Sequence, residues 1–284
     1  MGRWSAFTVL ALIVFVPPAA AQAASPDPVR AIVQRIQAGY GVQISEVSLS
    51  IDEKQISLKT RRSGWVQFGP SGPVASEFTS QLVLDSHARK ALGRETEAFR
   101  SLGAFDPSHI VVVENTAYVS GGVYDISLPE GKTWVRMPYP VKATAASAQR
   151  IDVFDPAVLR AVLKGSAGEP VSGGFLYRGA VSHAELYKAS TPHTDAFATE
   201  PTSGSGRTKI FWNLWTDGRG LPTRLTTSET RGGRELSLTR KADTRYAGWG
   251  SRVTVTAPPS EQVIDDKDLP EGLPGARRII TAPR

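Results

Sequence analysis

Glu46-Val47-Ser48-Leu49-Ser50-Ile51 alternates polar and apolar residues without a break. Successive side chains of a strand point to opposite faces, so the stretch reads as a strand with one face buried and one wet. After a polar turn at Asp52 to Lys54, Ile56 and Leu58 resume the same period, which predicts a hairpin. Further β-like runs occupy 65–68, 78–84, 110–119 and 133–137. A second set lies at 175–187, 209–215, 223–229 and 235–239, with a turn over Asp217 to Pro222. Val253, Val255 and Ala257 alternate in a last predicted strand before Pro258-Pro259.

Helical signals are fewer. Asp27 is a natural N-cap, Pro28 suits the first helical position, and Val29, Ile32, Val33 and Ile36 form one stripe that Gly39 and Gly41 end. Residues 88–102 carry a partial stripe interrupted by Gly93. A third helix is predicted over 156–164, capped by Asp155 and ended by Gly165. The stretches 165–174 and 202–206, rich in Gly and Ser, read as loops. Many strands in succession with two or three helices predict a single α+β domain over 25–270.

The first two dozen residues read as an address. Arg3 precedes an apolar run from Phe7 to Val16, Pro17-Pro18 breaks it, and Ala21-Gln22-Ala23 fits the small-x-small cleavage rule. The run falls short of the roughly 20 apolar residues that a membrane span needs. Residues 1–24 are therefore expected to be a signal peptide, and the mature protein secreted, extracytoplasmic and without a transmembrane segment. Among 284 residues there is no cysteine, which excludes disulfides, thiolate metal sites, a nucleophilic thiol and lipidation at cysteine. Stability must come from apolar burial, which this length permits. The tail from Glu271 to Arg284, polar and rich in Pro and Gly, reads as loose.

The formal charge is +6, with lysine and arginine scattered; Arg61-Arg62 and Arg277-Arg278 are the densest spots. No basic stripe or nucleic-acid module is visible, so nucleic acid is not an expected partner. The plain reading is a solubilising surface, and the alternative is affinity for anionic envelope polymers or lipid headgroups.

Signs of catalysis are weak. There is no G-x-S-x-G elbow, P-loop, G-x-G-x-x-G after a strand, or H-E-x-x-H. His183-x-Glu185 with His193-x-Asp195 offers four metal-ligand types, and on a strand each pair would share a face. Thr191-Pro192 interrupts the segment, so surface polar residues are the plainer reading. Asp265-Asp266 is adjacent in sequence and unsuited to a carboxylate pair for glycoside cleavage. The chain is expected to be no enzyme, with neither metal nor cofactor. Aromatic residues are more informative: Trp65, Phe68, Tyr118, Trp134, Trp212 and Trp215 all sit in or beside predicted strands. In 209–215, Ile210, Trp212 and Leu214 face one way while Phe211, Asn213 and Trp215 face the other. A sheet apolar on both faces is covered on both, or lines a cavity on one. These six are candidates for core filling or for lining a ligand cavity.

Several stretches together resemble a family of actinobacterial secreted proteins. They are Tyr40-Gly41-Val42, 117–122 (AYVSGG), 129–136 (PEGKTWVR), and the closing 244–250 (TRYAGWG) with 253–259 (VTVTAPP). The ending is similar to that of the mycobacterial lipoprotein carriers of the LppX/LprG kind, which share the fold of the LolA lipoprotein carriers. The resemblance implies a strongly curved antiparallel sheet, an unclosed half-barrel, with two or three helices on its concave side and an apolar cavity between. It also implies a lipid or other hydrophobic small molecule as ligand. The alternative it implies is a sensory or interaction domain engaging an envelope protein. This chain departs from the carriers in lacking their lipidated cysteine.

Overall fold

The computed structural model of the chain describes residues 25–125, 128–190, 205–232 and 237–269. The expected signal peptide and the 271–284 tail lie outside the described residues.

The opening alternation belongs to β1 (Tyr40–Ile51), which pairs antiparallel with β2 (Ser57–Phe68) across the expected turn. Asp52 Oδ1 organises that turn by accepting the N–H of Lys54 (3.0 Å) and Ile56 (2.8 Å). From β2 the chain meanders through β3 (Pro73–Leu84), β4 (Ser108–Val113), β5 (Thr116–Gly121) and β6 (Trp134–Arg136). The second half builds β7 (Glu169–Val171), β8 (Gly174–Ser182), β9 (Lys209–Asp217), β10 (Pro222–Gly232) and β11 (Ser237–Arg252). β11 returns to pair with β1, so the two meanders become one sheet. β12 (Val263–Asp265) adds a parallel edge beside β6. The result is a 12-stranded sheet ordered β12-β6-β5-β4-β3-β2-β1-β11-β10-β9-β8-β7, with two free edges. The α+β class and the unclosed sheet agree with the sequence reading.

Among the described residues five α-helices decorate it rather than two or three: α1 (Pro28–Arg35), α2 (Ser86–Leu92), α3 (Arg94–Ser101), α4 (Pro156–Leu163) and α5 (His183–Ala189). The caps are those expected: Asp27 accepts from Val29 N–H, and Asp155 from Ala157 and Val158. The predicted 88–102 helix is two helices, because Gly93 adopts φ +52 between them. The predicted strand over 175–187 stops at Ser182. There the Ser182 hydroxyl accepts the Glu185 N–H and the Glu185 carboxylate accepts the Ser182 N–H, a reciprocal cap that starts α5 instead. The run 110–119 is a hairpin, turned by Glu114 (φ 50) and Asn115 (φ 62) in the left-handed conformations of a two-residue connection.

The core lies between the sheet and helices α1, α4 and α5. Val29, Ile32, Val158, Leu159, Val162 and Leu186 from the helices meet Val42, Ile44, Val66, Phe68 and Phe78 from the strands. The 151–154 segment, through Ile151, Val153 and Phe154, fills the space between. Burying side chains of this size contributes about 1.5–3 kcal/mol each, and no disulfide is needed. The expected last strand, by contrast, joins no sheet. Residues 253–259 run extended across the opposite face, where Val255 N–H donates to Gln67 Oε1 (2.7 Å) and Val255 packs with Ala75 and Val111. That crossing carries the chain to β12, pinned by a bidentate Arg136–Asp265 ion pair (2.5 and 2.8 Å).

Candidate functional site

Cross-strand register sorts the concave face into rows. One row, Phe78–Gly64–Ile44–Tyr246, is apolar apart from its glycine and lies under the helices. The next, Ser80–Arg62–Glu46–Thr244–Leu225, places a carboxylate and a guanidinium in the interior. Beyond it run Leu82–Thr60–Ser48–Ala242–Thr227–Trp212 and Leu84–Leu58–Ser50–Arg240–Glu229–Ile210. The face thus turns from apolar to polar along the strands.

Glu46 is 3% exposed, and four donors meet its carboxylate. Arg62 Nη1 (3.0 Å) and the Ala148 N–H (2.8 Å) donate to Oε1, while the Ser147 (2.5 Å) and Thr244 (2.9 Å) hydroxyls donate to Oε2. Gln149 continues the network, donating to Leu225 O (3.0 Å) and Thr244 Oγ1 (2.9 Å) and accepting from Thr227 Oγ1 (2.8 Å). Segment 147–149 is thereby tied to β1, β10 and β11 at once. A buried charge is tolerated only with such partners.

A second buried carboxylate, Glu229, is 4% exposed and lies where α5 meets β10. His183 Nε2 bonds it, and the Nε atoms of Arg231 (3.4 Å) and Arg150 (3.6 Å) approach it. With Nε2–H donated to Glu229, His183 Nδ1 accepts from Arg231 Nη2 (2.9 Å). Burial by itself would raise the Glu229 pKa. The His183 bond and the charges of Arg231 and Arg150 outweigh it and hold the carboxyl at about 2. Burial, then the like charges of Arg150 and Arg231, push the neighbouring Arg240 below the usual guanidinium range.

Over β8–β10 this end of the concave face is covered by α5. Over β1–β3 it is not: Ser48, Ser50, Leu58, Thr60, Ser80 and Leu82 remain half-buried. Helices α2 and α3 join β3 to β4 at the same rim and leave Phe99 and Leu102 exposed. A half-exposed strip of leucines and hydroxyls therefore ends at a cluster of guanidiniums. Chemically it can hold a ligand with an apolar body and an anionic end. Among the described residues, His183 hydrogen-bonds to Glu229 and Arg231, and no nucleophile joins the pair.

The six aromatic candidates do not form one cavity. Phe68 and Trp212 are buried in the concave core, where Gly179 makes room for the Trp212 ring. Trp65, Tyr118, Trp134 and Trp215 are half-buried on the opposite face. Tyr118 and Trp134 lie under the 253–259 crossing, Trp65 beside Gly248, and Trp215 under the Arg224 guanidinium at 4.9 Å. The facing predicted for 209–215 is the one observed. Of the metal-ligand types, His183 is taken by Glu229 and Glu185 by its cap, since the two begin a helix and not a strand. His193 and Asp195 lie outside the described residues. Among the described residues no three His, Asp or Glu side chains come together as a metal site would need. The sequence reading gave no site role to Glu46, Arg62, Arg150, Glu229, Arg231 or Arg240, although Glu46 and Arg62 stood in stretches it singled out. The available signal was phase: Glu46 follows Val42 and Ile44 at steps of two, so it must share their inward face.

No family model matches the chain, and no curated protein sequence does. Among solved structures it is similar to the LolA superfamily protein NE2245 from Nitrosomonas europaea. That likeness has a TM-score of 0.28 at 9% identity and covers 80% of this chain and 94% of that one. It is also similar to the hypothetical protein CT021 from Chlamydia trachomatis, with a TM-score of 0.27 at 11% identity over 82% of this chain and 98% of that one. At these scores neither structure lends this chain a function. Among the described residues no helix is long and apolar enough to cross a membrane.

Proposed function

We infer that the protein is a non-enzymatic, extracytoplasmic binding protein that holds a lipid or similar amphipathic ligand on the open part of its concave face. The observation that carries this reading is the half-exposed Leu58–Thr60–Leu82 strip ending at Arg150 and Arg231, two guanidiniums that share the single carboxylate of Glu229. An acyl chain laid along the strip gains about 0.8 kcal/mol per buried CH2, and the guanidiniums receive its anionic end. Native mass spectrometry of the chain from Ala24 onward, purified without detergent, tests it. Adducts in the lipid mass range that gentle unfolding releases support the reading. A clean apo mass with no displacement of an apolar fluorescent probe overturns it.

A second reading, a sensory or protein-interaction domain on the same scaffold, is favoured by two observations. Side chains of the domain itself already fill the apolar half of the concave face. On the opposite face Phe211 is 61% exposed on β9, an apolar group placed where a partner would cover it. Capture of a partner that Phe211→Ser abolishes, in a protein with a clean apo mass, decides for this alternative.

A further inference from the structure

The outer face of the sheet carries a groove centred on β1. Its cross-strand rows are Lys241–Leu49–Lys59, Asp243–Val47–Arg61–Gln81 and Arg245–Ser45–Ser63–Thr79. Along β1 the outward residues Ser45, Val47 and Leu49 are short and uncharged, while β11 and β2 on either side raise long basic side chains. With strands about 4.8 Å apart, the walls stand about 10 Å from each other. Its part around Ser45, Val47, Arg61, Asp243 and Arg245 is a trough of about 480 Å³ in which Val47 is 39% exposed, and the Lys241–Leu49–Lys59 row continues it along the strands.

Its charge is one-sided. Arg224 on β10 holds the Asp243 carboxylate through two hydrogen bonds (2.8 and 2.6 Å), which neutralises the one acid in the walls. Lys59, Arg61, Lys241 and Arg245 form no ion pair among the described residues. Four cations along both sides of a narrow neutral floor concentrate a positive potential inside the groove. Ser45 adds a hydroxyl donor to the floor and Ser63 one to the β2 wall. A flat bilayer would meet the tips of the walls and leave this floor empty, whereas an extended chain can lie in it.

We propose that this groove binds a linear polyanion whose charges repeat along an extended backbone, of the phosphodiester or polyphosphate type. It lies on the face opposite the leucine strip, so mutation separates the two activities.

The test is fluorescence anisotropy of labelled long-chain sodium polyphosphate with the full chain at two salt concentrations. Contacts to four phosphates give a log–log salt slope of about −3, so a fourfold rise in salt weakens binding about 60-fold. Arg61→Gln with Arg245→Gln removes two of the four, and the same rise should then weaken binding only about eightfold. Lys188→Gln, an exposed lysine on α5, should leave the slope unchanged. Ser45→Tyr fills the floor with the cations kept and should abolish binding, with circular dichroism confirming the fold of each variant. Three results overturn the proposal. One is an equal loss with Lys188→Gln, which would mean net charge alone. Another is competition by inorganic phosphate at equal total phosphate, which would mean a discrete anion site. The third is capture of anionic vesicles in place of polyphosphate.

Discussion

Replacing Glu229 by glutamine should destabilise the protein in a manner that depends on pH. Glu229 is buried, and its folded pKa stands at about 2 against an ordinary value of 4.5. A carboxyl with a depressed folded pKa contributes stability that is fully present above its unfolded pKa and is lost as pH falls toward the folded one. The difference of 2.5 corresponds to about 3 kcal/mol at neutral pH. At pH 3 about 2 kcal/mol of that is gone, because the unfolded chain already binds the proton. Glu229→Gln keeps the volume and removes the titration. The stability gap between wild type and variant, from urea midpoints, should therefore be about 3 kcal/mol at pH 7 and about 1 at pH 3. Measuring the gap cancels the other carboxyls, which both proteins share. A gap of the same size at both pH values would show that the His183, Arg231 and Arg150 contacts do not hold the carboxyl down, and would refute the reasoning.

Three further outcomes are expected. Glu46→Ala should cost about 3–5 kcal/mol because it strands Arg62 and the Ala148 N–H, whereas Glu46→Gln, which can still accept, should cost about 1–2 in the same urea assay. Gly179→Ala puts a methyl 2.7 Å from the Trp212 ring, so it should cost about 1–3 kcal/mol and shift tryptophan emission. Phe99→Ser with Leu102→Ser, both exposed, should change stability by no more than about 0.5 kcal/mol each, while lowering retention of lipid adducts in native mass spectra.

The fold was largely legible because its determinants are local. Period two marked β1, β2 and β9, and the Asp27 and Asp155 caps set two helix starts to the residue. The misreadings are local too: the Ser182–Glu185 cap was hidden in an apolar run that looked continuous, and Gly93 split a helix it was expected only to weaken. The site was a different matter. The stretch 46–51 invites burial of Val47, Leu49 and Ile51, yet Val47 is exposed and Glu46 is buried. The phase is set upstream, where Val42 and Ile44 commit the even positions to the core, and a strand cannot turn over midway without a bulge. Segment 147–149, about a hundred residues away, then makes Glu46 tolerable inside, and no window on β1 contains that information.

The same geometry explains why the densest basic spot in the described chain is not a basic patch. Arg61 and Arg62 are neighbours in sequence and sit on opposite faces of β2. Arg62 points inward and is neutralised by Glu46, while Arg61 points outward with no acid opposite it. Outward charge therefore accumulates across strands rather than along them. Lys59 and Arg61 stand two apart on β2, and Lys241 and Arg245 come from a strand near the other end of the chain. Only the β1–β11 pairing that closes the two meanders brings these four around one neutral strand. A register slip of one residue in β11 would send Lys241 and Arg245 to the concave face and bring Ala242 and Thr244 out. Thr244 is also the residue that donates to Glu46 from β11. The buried network on one face thus fixes the register on which the basic groove of the other depends.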